Sequence, residues 1–257
     1  MSKLGPSVEA PQTAAGGSPP GGAVLALELE SVSAGYGRTE VLHDVTLKVP
    51  QGSAVALVGP NGAGKTSLLR VSAGLIKPMS GRVLLRGKDV SKVDVHGRTN
   101  LGLCDIPEGR GIFPSLTVKE NIILQSQRHR QKEAIAQAVE LFPVLGSRLR
   151  VPAGSLSGGE QQMLAVTRAY LSSPSIVLFD ELSLGLAPLI IDQLYEYIKL
   201  ILKGGVSVLI VEQYVNRVLD FADEVYLLDR GAVVLSGPAA EVREKDLFAH
   251  YMGIEAE

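Results

Sequence analysis

The sequence predicts an α/β fold in which a mostly parallel sheet carries helices on both faces. Apolar runs of four or five residues, such as Ala54–Val58 and Ile176–Phe179, suit strands that are buried on both faces. Other segments, such as 188–203, show the spacing of apolar residues that is typical of helices. The inward stripe of this segment comprises Ile191, Leu194, Ile198 and Ile201. Strands that alternate with helices predict a parallel sheet.

The first 23 residues differ from the rest of the chain in composition. They are rich in Gly, Pro, Ala and Ser, and they cannot bury enough apolar surface to offset the entropy of ordering. We therefore predict a flexible Gly/Pro-rich tail over 1–23. The first two strands are predicted over 24–30, where leucines alternate with other residues, and over 41–49.

Helices and strands then alternate along the first half of the chain. A helix is predicted after Lys65 and is ended by Pro78, and a strand is predicted over 101–106. The inner face of this helix is predicted to carry Leu68, Val71 and Leu75. The segment Thr117–Glu120 has the form of a capping box, which opens a helix, and a second helix stops at Pro143.

The second half of the chain continues the alternation. A helix is predicted after Ser157, and a closing helix is predicted near 245–252. The inner face of the first of these helices is predicted to carry Met163, Val166 and Tyr170. Between the two helices, strands are predicted over 206–211, 224–228 and 232–235.

The strongest motif lies between the Ala54–Val58 strand and the helix that follows. It reads Gly59-Pro60-Asn61-Gly62-Ala63-Gly64-Lys65-Thr66 and matches G-x-x-x-x-G-K-[ST]. Glycines let backbone N–H groups surround phosphate oxygens, and the helix directs its positive end at the same anion. Lys65 is expected to neutralise the β- and γ-phosphates of ATP, and Thr66 to ligate Mg²⁺. We therefore predict that Gly59 to Ser67 bind nucleotide.

A carboxylate pair, Asp180-Glu181, follows the Ile176–Phe179 strand. In an open α/β sheet, residues at the carboxyl ends of strands face the crevice where ligands bind. Asp180 is predicted to hold Mg²⁺, and Glu181 is predicted to orient or deprotonate the attacking water. Taken alone, an apolar run followed by Asp-Glu also fits a surface pair at a strand end.

A third motif, Leu156-Ser157-Gly158-Gly159-Glu160-Gln161-Gln162, combines a hydroxyl group, two glycines and a helix N-terminus. This combination predicts a second anion site, in which Ser157, Gly158 and Gly159 contact a γ-phosphate. One chain does not need two such sites for one nucleotide. The second site is useful if it closes over ATP bound to a partner chain. The alternative is a capped helix with a flexible entry.

In this order, the three motifs resemble the nucleotide-binding subunits of ABC ATPases. The resemblance covers about 24–253, beyond which 254–257 form a short tail. It implies a P-loop NTPase fold with a mixed, mainly parallel central sheet, an N-terminal antiparallel β-subdomain and a helical subdomain at about 107–172. It also implies that two subunits enclose two ATP molecules. Tyr36 falls where the family stacks an aromatic ring on adenine.

Several further segments resemble the subgroup of this family that takes up branched-chain amino acids. They are Val32–Gly37, Ile106–Arg110, Ile112–Val118, Ser183–Pro188 and Val211–Gln213. The resemblance implies transmembrane permease subunits, an external solute-binding protein and a location at the cytoplasmic face of the plasma membrane.

Three positions depart from the broad family pattern. Glu108 replaces a usual glutamine and is predicted to ligate Mg²⁺, and Ala187 replaces a usual aspartate. Gln213 replaces the switch histidine; its amide can donate a hydrogen bond to phosphate but cannot carry a proton near neutral pH. These changes suggest that catalysis is shared unequally with a different, related ATPase subunit in a heterodimer.

Composition excludes some partners. The formal net charge of -2 provides no overall basic field for nucleic acid, and no run of about 18–20 apolar residues suits a membrane span. The single cysteine, Cys104, is interpreted as a core thiol.

Two alternative functions stay open at this stage. One is a soluble ABC ATPase acting on DNA or ribosomes, and the other is a regulatory nucleotide-binding protein without turnover.

Overall fold

The computed structural model describes residues 24–109, 111–126, 128–212 and 215–244. The predictions for the tails at 1–23 and 254–257, for the helix near 245–252, and for Arg110 and Gln213 lie outside the described residues.

The strands of the described residues form two sheets. The first sheet is four-stranded and antiparallel, in the order β2-β1-β4-β5. Its strands are β1 (Leu25–Tyr36), β2 (Thr39–Pro50), β4 (Ser80–Leu85) and β5 (Lys88–Asp89). The central sheet has six strands in the order β10-β9-β3-β8-β7-β6. They are β3 (Ala54–Val58), β6 (Leu103–Ile106), β7 (Ile176–Asp180), β8 (Ser207–Val211), β9 (Glu224–Asp229) and β10 (Ala232–Pro238).

The central sheet is parallel except at one edge. Strands β6, β7, β8, β3 and β9 pair in parallel, and β10 pairs with β9 in antiparallel orientation. All five residues of β3, β7 and β8 are buried, as expected for strands covered on both faces. The predicted fold class is confirmed: the fold is α/β, with a mixed, mainly parallel sheet and an N-terminal antiparallel sheet.

Helices connect the strands of the central sheet. The helices before β7 are α1 (Lys65–Ala73), α2 (Val95–Asn100), α3 (Val118–Leu124), α4 (Gln131–Leu141), α5 (Pro143–Gly146) and α6 (Gly158–Ser172). The helices after β7 are α7 (Pro188–Lys203), α8 (Val215–Leu219) and α9 (Ala239–Glu244). The predicted capping box is present at Thr117, whose hydroxyl accepts from the Glu120 amide, and a second capping box joins Ser157 and Glu160.

Two apolar cores lie on opposite faces of the central sheet. One core contains Val55 and Leu57 of β3 together with α1 and the antiparallel sheet. The other contains Ala56 and Val58 of the same strand together with α3, α4, α6 and α7. Because successive strand residues point to opposite faces, a short apolar run contributes to both cores at once. The sheet is therefore held from both sides.

Two predictions of inward-facing residues are wrong. Leu75 is 58% exposed, because α1 ends at Ala73, where Gly74 adopts a positive φ of 86°. Tyr170 is 38% exposed, because Ala169 takes the buried position in the last turn of α6. The prediction for α7 is confirmed, since its four predicted inward residues are all buried.

The sequence analysis also missed β4 and α2. The α2 segment is fixed by Arg98, whose side chain is fully buried. Its guanidinium donates to the carbonyl oxygens of Val71 and Ser72 at the end of α1, and to those of Val90 and Val93, at 2.6–3.0 Å. Burial lowers the pKa of Arg98 to about 10. None of the described helices combines the length and apolar character needed to cross a bilayer.

Candidate functional site

The predicted site residues lie at one edge of the central sheet. Strands β3, β8, β7 and β6 are neighbours in that sheet and run in parallel, so their carboxyl ends meet at this edge. The phosphate loop follows β3, Glu181 follows β7 and Glu108 lies just after β6. Ligands of open parallel sheets bind at this edge. The strand order therefore brings together residues that are far apart in the sequence.

The phosphate loop depends on glycine at both of its ends. A Cβ at Gly59 would lie 2.1 Å from the carbonyl oxygen of Leu228, so the loop passes directly against β9. Gly64 has a φ of 105° and is the residue before α1. Residues that carry a side chain rarely adopt this backbone conformation, whereas glycine adopts it freely. The loop thus turns into α1 with its backbone N–H groups near the helix N-terminus, where anions are favoured.

Lys65 lies across the phosphate loop and is almost completely buried. Its Nζ donates to the carbonyl oxygens of Gly59, at 2.8 Å, and Pro60, at 3.0 Å. Burial lowers the pKa of Lys65, while the nearby carboxylates of Glu181 and Asp180 act in the opposite direction. A buried ammonium group in this position can neutralise a phosphate that enters the loop.

The side chains of Thr66 and Asp180 meet near Lys65. The Thr66 hydroxyl donates to Oδ1 of Asp180 at 3.3 Å. Burial above all, together with the neighbouring carboxylates of Glu181 and Glu108, raises the pKa of Asp180 to about 6, against the hydrogen bond from Thr66. Hard oxygen donors with uncompensated negative charge suit a small divalent cation such as Mg²⁺. Thr66 and Asp180 thus offer two adjacent oxygen donors, and Glu108 is near enough to raise the pKa of Asp180.

Glu181 faces the phosphate loop across a cavity of about 270 Å³. Its backbone has a positive φ of 48°, and its amide donates to the carbonyl oxygen of Val211 at 3.0 Å. The cavity is lined by Val41, Asn61, Gly62, Gly64, Lys65, Thr66, Ser67 and Glu181. A carboxylate on the wall opposite the phosphate-binding groups can accept a proton from a water molecule between them.

Tyr36 lies at the rim of the phosphate loop and is 46% exposed. Its hydroxyl accepts a hydrogen bond from Nη1 of Arg70 at 2.9 Å and lies 3.4 Å from Oγ of Ser67. The exposed ring can therefore stack on a flat ligand while its hydroxyl stays attached to α1.

The Leu156–Gln162 segment opens α6 on a different part of the surface. Ser157 is exposed and caps the helix: its Oγ accepts from the Glu160 amide, and the Glu160 carboxylate accepts from the Ser157 amide. Gly159 is buried, and a Cβ there would lie 2.8 Å from Ile190. Among the described residues, none of this segment lines the phosphate-loop cavity.

Comparison with known protein families gives a match to the family described as ABC transporter, over residues 42–183. The chain belongs to this family. It is therefore an ATP-binding and ATP-hydrolysing subunit of an ABC transporter, a class whose ATPase subunits work with transmembrane permease subunits.

Curated relatives cover most of the chain. The high-affinity branched-chain amino acid transport ATP-binding protein BraG of Pseudomonas aeruginosa is 39% identical over 217 residues, which are 83% of this chain and 93% of that protein. A probable branched-chain amino acid transport ATP-binding protein, LivF of Archaeoglobus fulgidus, is 35% identical over 86% of this chain and 96% of its own length. The lipopolysaccharide export system ATP-binding protein LptB of Haemophilus influenzae is 29% identical over 88% of this chain and 97% of its own length.

Solved structures share the fold. A nucleotide-free ATP-binding cassette from an ABC transporter superposes with a TM-score of 0.80 at 22% identity, over 91% of this chain and 99% of that chain. The ATP-bound bacterial Atm1-family ABC exporter has the same TM-score at 24% identity, over 91% of this chain and 42% of that chain.

Two residues after Glu181 and before α7 can be located in the structure. Leu182 has its side chain in the apolar core between the sheet and the helices. Ala187 is the residue before α7, and its side chain makes no capping hydrogen bond. Gln213 lies outside the described residues.

Two charged residues near the ABC ATPase site were missed by the sequence analysis. Asp105 of β6 is largely buried, and burial raises its pKa to about 6, while Arg168 and Arg70 lower it. Arg70 also binds Tyr36. The available signal for Asp105 was a carboxylate inside the apolar run 101–106, since an acidic residue in a buried strand needs partners. No comparable signal marked Arg70.

Proposed function

We propose that this chain drives an ABC importer of branched-chain amino acids or a related small polar solute. The support is the pattern of identity: two relatives named for branched-chain amino acid transport are 39% and 35% identical, whereas the lipopolysaccharide export relative is 29% identical. The solute does not bind this subunit in the proposal. It is delivered by an external solute-binding protein to separate membrane subunits, with this chain at the cytoplasmic face of the membrane.

In this proposal the residues Gly59 to Ser67 bind the triphosphate of ATP. Lys65 is already placed among the loop carbonyls and leaves them to contact phosphate oxygens, which are stronger acceptors. Tyr36 stacks on adenine, because its ring is exposed at the rim while its hydroxyl is held by Arg70. These contacts bind and orient the nucleotide.

Hydrolysis is assigned to Glu181. Glu181, Lys65 and Thr66 line the same cavity. We propose that the attacking water lies in this cavity, between the Glu181 carboxylate and a phosphate held by Lys65 and Thr66. Thr66, Glu108 and Asp180 are proposed to hold Mg²⁺, which when bound neutralises charge on the phosphates. Gln213, two positions after β8 in the sequence, is proposed to donate a hydrogen bond to phosphate.

The second half of the site comes from a partner subunit. Ser157 is the exposed N-cap of the 15-residue helix α6, and it does not line the described cavity of its own chain. We propose that Ser157, Gly158 and Gly159 contact the γ-phosphate of ATP bound to the partner. ATP then closes the dimer and hydrolysis reopens it, and the helical subdomain over 107–172 transmits this motion to the membrane subunits.

The assignment of hydrolysis is tested with Glu181→Gln. The amide cannot accept the water proton, so phosphate release is expected to fall by at least about a hundredfold, while affinity for a fluorescent ATP analogue changes little. A matched control is Glu224→Gln, because Glu224 begins β9 at the opposite end of the central sheet. Hydrolysis by Glu181→Gln at the parental rate would remove Glu181 from this role.

The assignment of solute is tested by uptake. Cells that carry Lys65→Ala in place of the parental chain are expected to lose uptake of labelled leucine, isoleucine and valine, because the transporter has no ATP-driven step. Fractionation and co-purification from membranes are expected to recover permease subunits. Normal uptake of these amino acids, or recovery with ribosomes or DNA instead of permeases, would contradict the proposal.

A further inference from the structure

The backbone of Glu181 has a conformation that side-chain-bearing residues adopt infrequently. Its φ is 48°, in the left-handed region, directly after the regular geometry of β7. Such a conformation persists only when the residues on both sides are fixed by the surrounding structure. Strand β7 fixes the chain before Glu181, and contacts to β8 and to the core fix the chain after it.

Three contacts fix the segment that begins at Glu181. The Glu181 amide donates to the carbonyl oxygen of Val211, the last residue of β8. The Leu182 side chain is buried in the core. Ser183 then donates to the carboxylate of Glu212 twice, from its backbone N–H at 3.1 Å and from its Oγ at 2.6 Å. The loop after β7 is thus attached to the end of β8 by both backbone and side chain.

Glu212 is in an unusual environment for a carboxylate. It is 1% exposed, and Ser183 is 3% exposed, so these hydrogen bonds are shielded from water. The Tyr195 ring of α7 lies in the same region, and burial together with the Glu212 carboxylate raises the pKa of the Tyr195 phenol. Hydrogen bonds to a buried carboxylate from neutral donors are strong, and losing one costs free energy.

We propose that Glu212 is a positioning residue for ATP hydrolysis. By holding Ser183, it keeps Glu181 in the left-handed conformation that directs the Glu181 carboxylate at the phosphate-loop cavity. Glu212 is not among the described residues that line the phosphate-loop cavity. Because it is next to Gln213, it also links the segment after β7 to the segment after β8. This inference rests on the proposed role of Glu181.

The test is a double-mutant cycle on hydrolysis. Ser183→Ala removes the hydroxyl donor, and Glu212→Gln removes the charge while keeping the size of the side chain. Each variant is expected to lower kcat about tenfold while affinity for a fluorescent ATP analogue stays within about twofold. The double variant is expected to be no slower than the slower single variant, because both changes break the same contact.

The matched control is Ser207→Ala. Ser207 is also fully buried, its Oγ accepts from the Gly52 amide at 2.9 Å, and it begins β8 at the end opposite Glu212. It is expected to lower the melting temperature without lowering kcat. A general loss of stability would instead lower kcat in all three variants in step with melting temperature, and that result would overturn the proposal.

Other outcomes are also decisive. Multiplicative effects in the double variant, or equal losses of kcat and nucleotide affinity, would contradict a positioning role. If Glu212→Gln does not yield folded protein, Ser183→Ala decides alone: an unchanged kcat overturns the inference. Glu181→Gln is measured alongside. If it abolishes hydrolysis while Ser183→Ala has no effect, the proposed function stands and only the positioning role fails.

Discussion

Carboxyl groups at the site are crowded within a few residues of the strand ends. The pKa values of Asp105 and Asp180 are both raised to about 6, mainly by burial. The Asp180 carboxylate also raises the pKa of Asp105, and the Glu181 and Glu108 carboxylates raise that of Asp180. The folded protein therefore carries an electrostatic cost here, which the Lys65 ammonium reduces and a bound cation would reduce further. Sites with such shifted groups are typical of function, not of stability.

Asp105 gives a prediction for the dependence of stability on pH. Its pKa is raised from 3.8 to about 6 in the folded state, so the folded state binds this proton more tightly than the unfolded state. The resulting stabilisation is complete below about pH 4 and is lost as the pH rises through about 6. Asp105→Asn removes this titration. Its free energy of unfolding relative to the parental protein is expected to rise by roughly 2 kcal/mol between about pH 4 and pH 7.

Urea denaturation of both proteins across this range measures the difference. A difference that stays constant from pH 4 to pH 7, within about 0.5 kcal/mol, would show that Asp105 does not titrate as the structure indicates.

At the residue scale, the sequence was informative where chemistry restricts residue type. The glycines, Lys65 and Thr66 follow a fixed spacing because backbone and side chain must both reach one phosphate. Arg70 and Glu212 could not be predicted in the same way. Their roles depend on partners that are close only in space, Tyr36 and Ser183, and charged residues of this kind are common on any helix or strand end.

At the scale of elements, α3 and α6 begin with the same device. In each, a hydroxyl residue accepts from the amide of a glutamate three positions later, and that glutamate accepts from the amide of the hydroxyl residue. Thr117 and Ser157 are thus equivalent in their contribution to helix stability. Only Ser157 belongs to the segment proposed to contact the partner's nucleotide.

This equivalence provides a matched pair of variants. Ser157→Ala and Thr117→Ala are each expected to lower the free energy of unfolding by about 1 kcal/mol, through loss of a helix cap. Only Ser157→Ala is expected to lower ATP hydrolysis, by about tenfold or more, while affinity of the single chain for nucleotide is unchanged. Thermal unfolding, phosphate release and analogue binding measure the three quantities. Equal effects of both variants on hydrolysis would mean that Ser157 acts only as a cap.

Elements with strong periodic signals were predicted, and those with weak ones were not. The stripe of α7 is regular over 16 residues, and all of its predicted inward positions are buried. In contrast, α2 has six residues and buries only Arg98, so it has no apolar stripe to detect. The two wrong inward positions, Leu75 and Tyr170, lie beyond or near helix ends, where the backbone turns away from the helical pattern.

At the scale of the whole molecule, we propose that Ser157, Gly158 and Gly159 of a partner complete the ATP site, because this segment does not line the described cavity of its own chain. ATP hydrolysis is therefore expected to increase faster than linearly with protein concentration, as two chains must meet. If the working partner is a different ATPase subunit with a histidine at the switch position, adding that subunit at a fixed total concentration is expected to raise turnover several-fold. Phosphate release measures both effects.

A rate per chain that is independent of dilution, and unchanged by the related subunit, would contradict the heterodimer. A substitution at the switch position provides a further test. Gln213→His is expected to raise the turnover of this chain alone, because an imidazole can carry a proton that an amide cannot.

The central sheet shows what sequence patterns leave open at this scale. Alternating strands and helices predicted a parallel sheet, but not the order of its strands. The order β3-β8-β7-β6 determines that the phosphate loop, Glu181 and Glu108 share one edge. This order follows from long-range packing of apolar faces that are similar in composition, so no local spacing encodes it. Family resemblance supplied the missing constraint.

Arg98 has a consequence for how the domain comes apart. Its one cation is shared by the tail end of the helix that begins at Lys65 and by the stretch from Val90 to Val93. Separating these two stretches would leave the buried Arg98 guanidinium without some of its hydrogen-bond acceptors. We therefore expect the two stretches to unfold together. In amide hydrogen exchange they are expected to open as one cooperative unit, and the six-residue helix at Val95–Asn100 is expected to be as well protected as the nine-residue helix that begins at Lys65.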